Sequence, residues 1–478
     1  MTDTSFLDAV AEDLVAAVGD QYVSRHDDVL SAYARDAYPL ALRAAGGRSG
    51  LEVRPDIVVR PATTAEVSTI LTTARRWRIP VVPYGGGSGI CGGALATSGG
   101  VVLDLKRLDA VVEMDEESMV VTVGAGILGG ELERRLGMHG LTCGHYPQSI
   151  YSSTVGGWIS HRGVGTFSTR YGKMDDLLIS LEVVLPSGDV FRTRAVPTSA
   201  AGPDLNRLFL GAEGTLGVIT QATLKMFARP TYRRHATYRL DDLAAGLNTI
   251  REVLQAGYRP AVVRLYDPVE TETLFGQVPG AEGATTLLVM DEGPVDLVDV
   301  SLMAMSRAVT ANGGDSLASE VGEHWLENRF STVALCETLA KAGGIADAIE
   351  VANNYRMLPN TYHAMKASME AVSDRVKVYG HASHFYHSGG NLYMIFHAEV
   401  DDPADAPALY HRVLDAALTA CHGQQGTITH HHGVGIAKAR HMSTEWGDEG
   451  VSLWRAIKGA VDPGNIMNPG GKLLLADG

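Results

Sequence analysis

"VPYGGGSGICGG", residues 82–93, sets six glycines and a serine behind an apolar run, and the elements on either side of it decide the fold. Upstream, "DIVVRP" (56–61) reads as a strand, "TTAEVSTILTTARRW" (63–77) as a helix capped by Thr63 or Thr64, and "IPVVPY" (79–84) as a second strand. That order is a βαβ unit. Downstream the loop runs into another strand, "VVLDL" (101–105), where a Rossmann turn or a P-loop would open a helix and seat phosphate on its N-terminus. Successive backbone N–H groups in such a loop can instead curl into an anion-binding nest, with the Ser88 hydroxyl added. A flexible surface loop is the plainer alternative; the flanking βαβ unit and the immediate return to a strand weigh against it.

At 478 residues the chain exceeds the size at which one core keeps growing, so two domains are expected. A content of 45% apolar and 20% charged residues describes a globular protein with material for a large interior. A net charge of −15 without any basic run argues against nucleic acid or an anionic membrane as the main partner. Cys91, Cys143, Cys336 and Cys421 form no CxxC pair, which indicates reduced thiols in a cytoplasmic protein rather than a zinc ribbon or disulfide framework. The N-terminal "MTDTSFLDAVAEDLV" is acidic and amphipathic, unlike a signal peptide, and no apolar run reaches the roughly 18–20 residues of a membrane helix. The C-terminal "LLLADG" is not a peroxisomal tripeptide.

The 54 glycines concentrate at 85–100, 124–130, 156–172, 211–217 and around 433 and 470, where the chain has to approach a bulky polar ligand closely. "GAGILGG" (124–130) follows a strand, opens a helix and matches GxGxxG, but a dinucleotide fingerprint also needs a second strand ending in an acid about 20 positions on. "CGHYPQSIYSSTVGG" stands there instead, so a tight strand-to-helix turn is the better account. "LLISLEVVLPSGDVFRT" (177–193) reads as a strand pair turning at Pro186 to Asp189. After "LFLGAEGTLGVITQATLKMFARP" (208–230) the glycine density falls. The expected α+β organisation is a helical segment over 1–50, a ligand domain over 51–230, a second domain over 231–420 and a segment over 421–478 that returns to the site.

Two further clusters, "HYPQSIYSSTVGGWISHRGVGT" (145–166) and "GAEGTLGVIT" (211–220), follow the first loop in specific order and spacing. On these three clusters the chain resembles the FAD-binding family of vanillyl-alcohol oxidase and p-cresol methylhydroxylase, in particular its FAD-linked oxidase type 4 branch. The resemblance covers about 50–226 and 231–475, and implies a two-subdomain p-cresol methylhydroxylase-type FAD-binding domain with an α+β cap. It implies that Tyr84, Gly85, Gly86, Gly87, Ser88 and Gly89 hold the FAD pyrophosphate and that Pro147, Ser149, Thr154, Gly156, Gly157 and Ser160 line the ribityl and flavin region. Glu213, Gly214 and Ile219 would lie near the adenine end, with His432 and Asn468 reaching the flavin region from the C-terminus. The first loop has no histidine for covalent attachment and Cys91 is a poor substitute, so FAD is expected to be noncovalent.

Hydroxy-acid dehydrogenases of this branch carry HxGDGNxH and, later, Glu-His-Gly as ligands of a divalent metal. In "YHSGGNLY" (386–393) Tyr386 and Tyr393 stand where the two histidines would be, and in "HHHGVG" (430–435) His431 stands where the glutamate would be, which implies no metal. Those replacements are similar to the alkylglycerone-phosphate synthase-like members, which use FAD without net redox. Those members also carry an Arg-Asp pair for an anionic headgroup. "HWLENRFSTVALCETL" (324–339) has Cys336 and Glu337 at that place, removing the bidentate partner of a phosphate.

His430, His431 and His432 cannot all face one site if their segment is extended, because side chains alternate. A neutral imidazole can accept a hydroxyl proton; a zinc site drawing on His381, His384 or His387, or satisfied structural histidines, are the other readings. Tyr386 is a packed aromatic or an orienting hydroxyl, Tyr393 a substrate contact, and Arg356 a surface residue or the charge that meets a substrate carboxylate. Lys438 and Arg440 neutralise a carboxylate or face solvent. The expectation is an FAD-dependent oxidoreductase that oxidises an alcohol or 2-hydroxy-acid-like small molecule by hydride transfer to flavin N5. Tyr386, His431 and His432 would be catalytic, with His432 favoured as the proton acceptor. O2 or another acceptor would take the electrons, a homodimer stays open, and the alternative is an alkyl transferase using FAD without net redox.

Overall fold

The computed structural model describes residues 4–329, 344–470 and 472–473. Strand Ile57–Val59, helix Thr64–Trp77 and strand Val81–Tyr84 form the βαβ unit, with strand Val101–Asp104 inserted between the two strands and parallel to both. Thr63 is the helix cap, its hydroxyl accepting from the Glu66 amide at 3.1 Å. Ile57, Val59, Ile70, Val81 and Val101 form a core with Leu7, Val10 and Leu14 of helix Thr4–Val18.

A second sheet is antiparallel, in the order Val111–Asp115, Val120–Gly124, Val218–Lys225, Leu178–Val184, Val190–Arg192. Its last two strands are the expected pair, closed where the Leu185 amide donates to Asp189 O at 2.9 Å. "GAGILGG" is the strand-to-helix turn: the strand ends at Gly124, the Ile127 amide returns to Gly124 O at 3.2 Å, and helix Gly129–Gly137 follows.

Seven antiparallel strands make the third sheet, in the order Asp315–Ser316, Arg233–Leu240, Thr285–Glu292, Val262–Tyr266, Val376–Ser383, Gly389–Ala398, Ile345–Asn354. Helices Leu243–Gln255, Val295–Ala311, Leu358–Glu370 and Ala406–Gly423 share one core with it, burying Ile250, Met305, Met365 and Leu414 against strand residues Leu265, Ala382, Leu392 and Val351. The alternate residues face the other way. Register then does the positioning: Glu350 pairs with Tyr393, Tyr393 with His381, and His381 with Tyr266, so one row of polar side chains crosses four strands on the face away from those helices.

Helix Met442–Val461, kinked at Gly447 (φ 69°), packs Trp454, Ile457 and Val461 on the core of the second sheet. Beyond it Met467 bridges Val81 in parallel, and the Asn468 amide donates to Val81 O at 2.8 Å, beside the glycine loop. Among the described residues no helix is long and apolar enough to cross a membrane.

Candidate active site

The glycine loop leaves strand Val81–Tyr84 and folds against the segment before helix Val155–Ser160. A Cβ on Gly85 would lie 2.3 Å from Thr154 Oγ1, and one on Gly86 only 1.6 Å from Ser152 O, so both positions require glycine for close approach. Thr154 in turn caps its helix, accepting from the Gly157 amide at 3.2 Å. Among the described residues, the amides of Gly86, Gly87, Ser88 and Gly89 donate to no acceptor of the chain, and these residues are half-buried rather than sealed. A row of unused N–H groups beside a helix N-terminus fits an anionic pyrophosphate. Tyr84 flanks it, with its hydroxyl on Arg35 O at 3.1 Å. Cys91 is buried and its thiol is pushed up by burial, which makes it a poor point of attachment.

Glu213 closes the other side. Its carboxylate accepts from the Val434 and Gly435 amides at 2.6 and 2.8 Å, and Asn468 Nδ2 donates to the carbonyls of Gly93 and Glu213 at 2.9 and 2.7 Å. Glu213 therefore pins the histidine segment to the glycine loop. Gly214 (φ 72°) packs on the Pro83 ring, Ile219 is buried in strand Val218–Lys225, and Ser160 O accepts the Glu213 amide at 3.0 Å. Pro147 and Ser149 lie in the turn before Thr154, where Ser149 O accepts from the Ser153 amide at 2.8 Å, and the Gly156 amide bonds Ala125 O at 2.7 Å.

The histidines meet a residue that no motif marks. Glu350 is fully buried, and its Oε2 accepts from the His430 amide and from the His431 amide at 3.2 Å. Its Oε1 accepts from the His432 amide at 3.0 Å, Thr429 Oγ1 at 2.6 Å and Lys438 Nζ at 3.1 Å. Burial alone would raise this carboxyl, but the Lys438 ammonium and the neighbouring histidines hold it well below the usual range. The expectation that an extended segment would turn one histidine away is corrected: residues 429–432 bend around the carboxylate with three successive amides donating to it, so all three imidazoles cluster. Lys438, with solvent among its expected readings, is buried on Glu350, whereas Arg440 pairs with Asp415 at 2.7 Å.

The rings link the two tyrosines. Tyr386 Oη lies 2.7 Å from His430 Nε2, His430 Nδ1 lies 2.9 Å from His431 Nδ1, and His431 Nε2 lies 2.6 Å from Tyr393 Oη. Each ring offers one donor and one acceptor when neutral, so all protons in this chain point toward Tyr393 or all toward Tyr386. Burial keeps both imidazoles well below their ordinary pKa and both phenols above theirs, so every member is neutral at pH 7. His432 stands outside the chain; its ring is 4.4 Å from that of His431 and its pKa is lowered to about 4 by burial. His384 Nδ1 is held by Ser168 Oγ at 2.8 Å, and its ring lies 5.1 Å from that of His431.

Glu350, His430 and His431 offer ligand atoms within 4.8 Å of one another. The five donors already on Glu350, one of them an ammonium, make that trio a hydrogen-bonded network rather than a cation cradle. Arg356 is exposed on the turn after strand Ile345–Asn354, and His387 is exposed as well, so neither joins the cluster. Cys336 and Glu337 lie outside the described residues. The sequence reading missed Glu350 as a member of the site and weighed His430 and His384 without giving either a role at the flavin; the one signal for Glu350 was a lone glutamate in the apolar alternation of "IADAIEVANN".

Comparison with known proteins agrees with both halves of this arrangement. Residues 55–194 match the FAD binding domain and residues 229–471 the FAD linked oxidases, C-terminal domain. The glycolate oxidase subunit GlcD of Bacillus subtilis (strain 168) is 30% identical over 440 residues, 88% of this chain and 90% of the relative. Among solved structures, alkyldihydroxyacetonephosphate synthase superposes with a TM-score of 0.82 at 23% identity, covering 98% of this chain and 86% of that one. Substrate-bound p-cresol methylhydroxylase superposes at 0.78 and 17% identity, covering 100% and 99%.

Proposed function

Because the chain belongs to the FAD-linked oxidases, with the two-domain p-cresol methylhydroxylase-type fold and FAD as cofactor, we propose that it oxidises the hydroxyl-bearing carbon of an alcohol or 2-hydroxy-acid-like substrate, with Tyr386 and His430 taking the hydroxyl proton. When bound, FAD supplies the acceptor for the hydride at N5. Gly85 to Gly89 would hold its pyrophosphate, and Thr154, Gly157, His432 and Asn468 its flavin side.

The observation that carries this reading is the chain from Tyr386 through His430 and His431 to Tyr393. As Tyr386 Oη accepts the substrate proton, its own proton passes to His430 Nε2, and the His430 Nδ1 proton can pass to His431. The resulting positive charge faces Glu350, 3.7 Å from His431 Nδ1. Neutral histidines are required at the start, and burial supplies them. His432, favoured on sequence, is reassigned here to the flavin side of the cluster.

An anaerobic screen of 2-hydroxy acids, aliphatic alcohols and phenolic alcohols tests the proposal: a substrate bleaches the visible flavin absorbance, and Tyr386→Phe slows bleaching while FAD stays bound. Bleaching by no alcohol overturns it. The TM-score of 0.82 to alkyldihydroxyacetonephosphate synthase keeps one second reading, an alkyl transferase; such an enzyme would turn over repeatedly under anaerobic conditions with no external electron acceptor.

A further inference from the structure

Behind Tyr393 lies a second buried cluster that the proton chain does not use. His381 stacks on Tyr393, ring centroids 4.6 Å apart and planes 23° from parallel. Its Nδ1 lies 2.9 Å from both oxygens of Glu270, and its Nε2 lies 2.5 Å from Arg264 Nη2. A guanidinium can only donate, so Nε2 is the acceptor; the ring proton is then on Nδ1 and is given to Glu270. His381 is therefore neutral, and Glu270 is spent on it.

That leaves the guanidinium under-used. Arg264 stands two residues before Tyr266 on the same strand, hence on the same face as the Glu350–Tyr393–His381 row. Its Cζ lies over the rings of Tyr266 and Trp325 at 5.5 and 5.8 Å. Nε is buried and donates to nothing, and among the described residues no carboxylate forms an ion pair with Arg264. Arg264 as a whole is half-buried, but a buried donor such as its Nε left unmade is costly, and a half-buried guanidinium without a carboxylate partner is open to an anionic one. Side chains in such a state occur where a ligand completes them. Arg329, whose Cζ lies 5.9 Å over the same Trp325 ring, adds positive potential at that end of the row.

We infer that Arg264 binds a carboxylate of the substrate, making it the specificity-determining residue of the site, one ring layer behind Tyr393. This rests on the oxidoreductase reading for its reaction and narrows the substrate class to hydroxy acids. Flat, bidentate-capable and fixed by His381 and two aromatic faces, the guanidinium suits a carboxylate at low ordering cost. It also replaces the exposed Arg356 in that role.

The test compares glycolate, lactate and mandelate with glycolamide, lactamide and mandelamide, isosteres that keep the hydroxyl and lose the charge, and adds glycerol 3-phosphate as the phosphate arm. Anaerobic flavin reduction and ligand-induced shift in Tm are read on the holoenzyme and on Arg264→Met and Arg264→Lys, with flavin content checked for each. At least one acid is expected to surpass its amide by roughly 10- to 100-fold in kcat/KM and to raise Tm where the amide does not. Arg264→Met should abolish both preferences, and Arg264→Lys should keep part of them; should Arg264→Met fail to fold, Arg264→Lys carries the comparison. No acid preference in the parent enzyme, a preference that survives in the variants, an equal loss on acids and amides, or a preference for glycerol 3-phosphate each overturns the assignment. If no alcohol reduces the flavin but acids still raise Tm through Arg264, the oxidoreductase reading fails and the anchor stands.

Discussion

Glu350 shows how a single side chain can organise a site without touching substrate. With five donors around a fully buried carboxylate, its replacement by glutamine turns two lone-pair positions into N–H groups facing amides and leaves the Lys438 ammonium without its counter-charge. Glu350→Gln is expected to cost about 3–5 kcal/mol in denaturant unfolding, and a loss under 1 kcal/mol would show that the bend of residues 429–432 has another cause. The rings it positions make a sharper prediction. Tyr386→Phe and His430→Phe remove adjacent links of one chain, so each should slow flavin reduction by about 10²- to 10⁴-fold, and the double variant should be little worse than either. His432→Ala, outside the chain, should lose less than about tenfold; if it instead falls as far as Tyr386→Phe, His432 is the acceptor. The sequence displayed the triplet but not its partner, because hydrogen bonding from three consecutive amides leaves no residue signature, whereas the triplet's extended reading assumed a local periodicity that Glu350 overrides.

Elements were legible in proportion to how locally they are determined. The unit from Ile57 to Tyr84 follows from a capped helix between two apolar runs, and the glycine loop's difference from a Rossmann turn follows from the strands on both sides of it. The polar row on the third sheet was not legible, since Glu350, Tyr393, His381 and Tyr266 become neighbours only through the register of four strands drawn from distant parts of the chain. Arg264 was overlooked for the same reason, while Arg356, next to a turn, drew attention that its exposure does not support. At the loop the argument is steric. The position a Gly86 Cβ would take is 1.6 Å from a backbone carbonyl, and backbone cannot swing aside as a side chain could. Gly86→Ala should therefore displace the loop from Ser152 and yield protein purified with little flavin, measured as visible absorbance per protein. Full flavin occupancy in that variant would mean that the nest of Gly86 to Gly89 is not where the pyrophosphate sits.

The whole molecule is stitched by residues 442–470, which cross between sheets: Lys458 Nζ donates to Thr215 O at 2.7 Å and to Met467 O at 2.9 Å, and Asn468 ties Gly93 to Glu213. Such closure buries ionisable groups, and the sign of their linkage can be worked out. His145, lowered to about 3, His432, lowered to about 4, and His381, His384, His430 and His431, all lowered, are kept neutral first by burial. Unfolding returns each to about 6.5, so below that pH the unfolded chain binds protons that the native one refuses, and stability falls at up to about 1.4 kcal/mol per pH unit for each such histidine. Asp36 and Asp347, raised to about 6 by burial, act oppositely, gaining stability as pH falls, but are outnumbered. Glu350, depressed in the fold, keeps its contribution above about 4.5 and loses it only below, as pH drops through its folded pKa. The urea midpoint should thus decline from about pH 6.5 to 5, the histidines outweighing the two raised aspartates that titrate in the same window. His384→Gln, which removes one of these protons while keeping a partner for Ser168, should flatten that decline. A midpoint that holds constant down to pH 5 would mean that the histidines of the site carry their charge in the folded protein, and the neutral proton chain from Tyr386 to Tyr393 would fall with it.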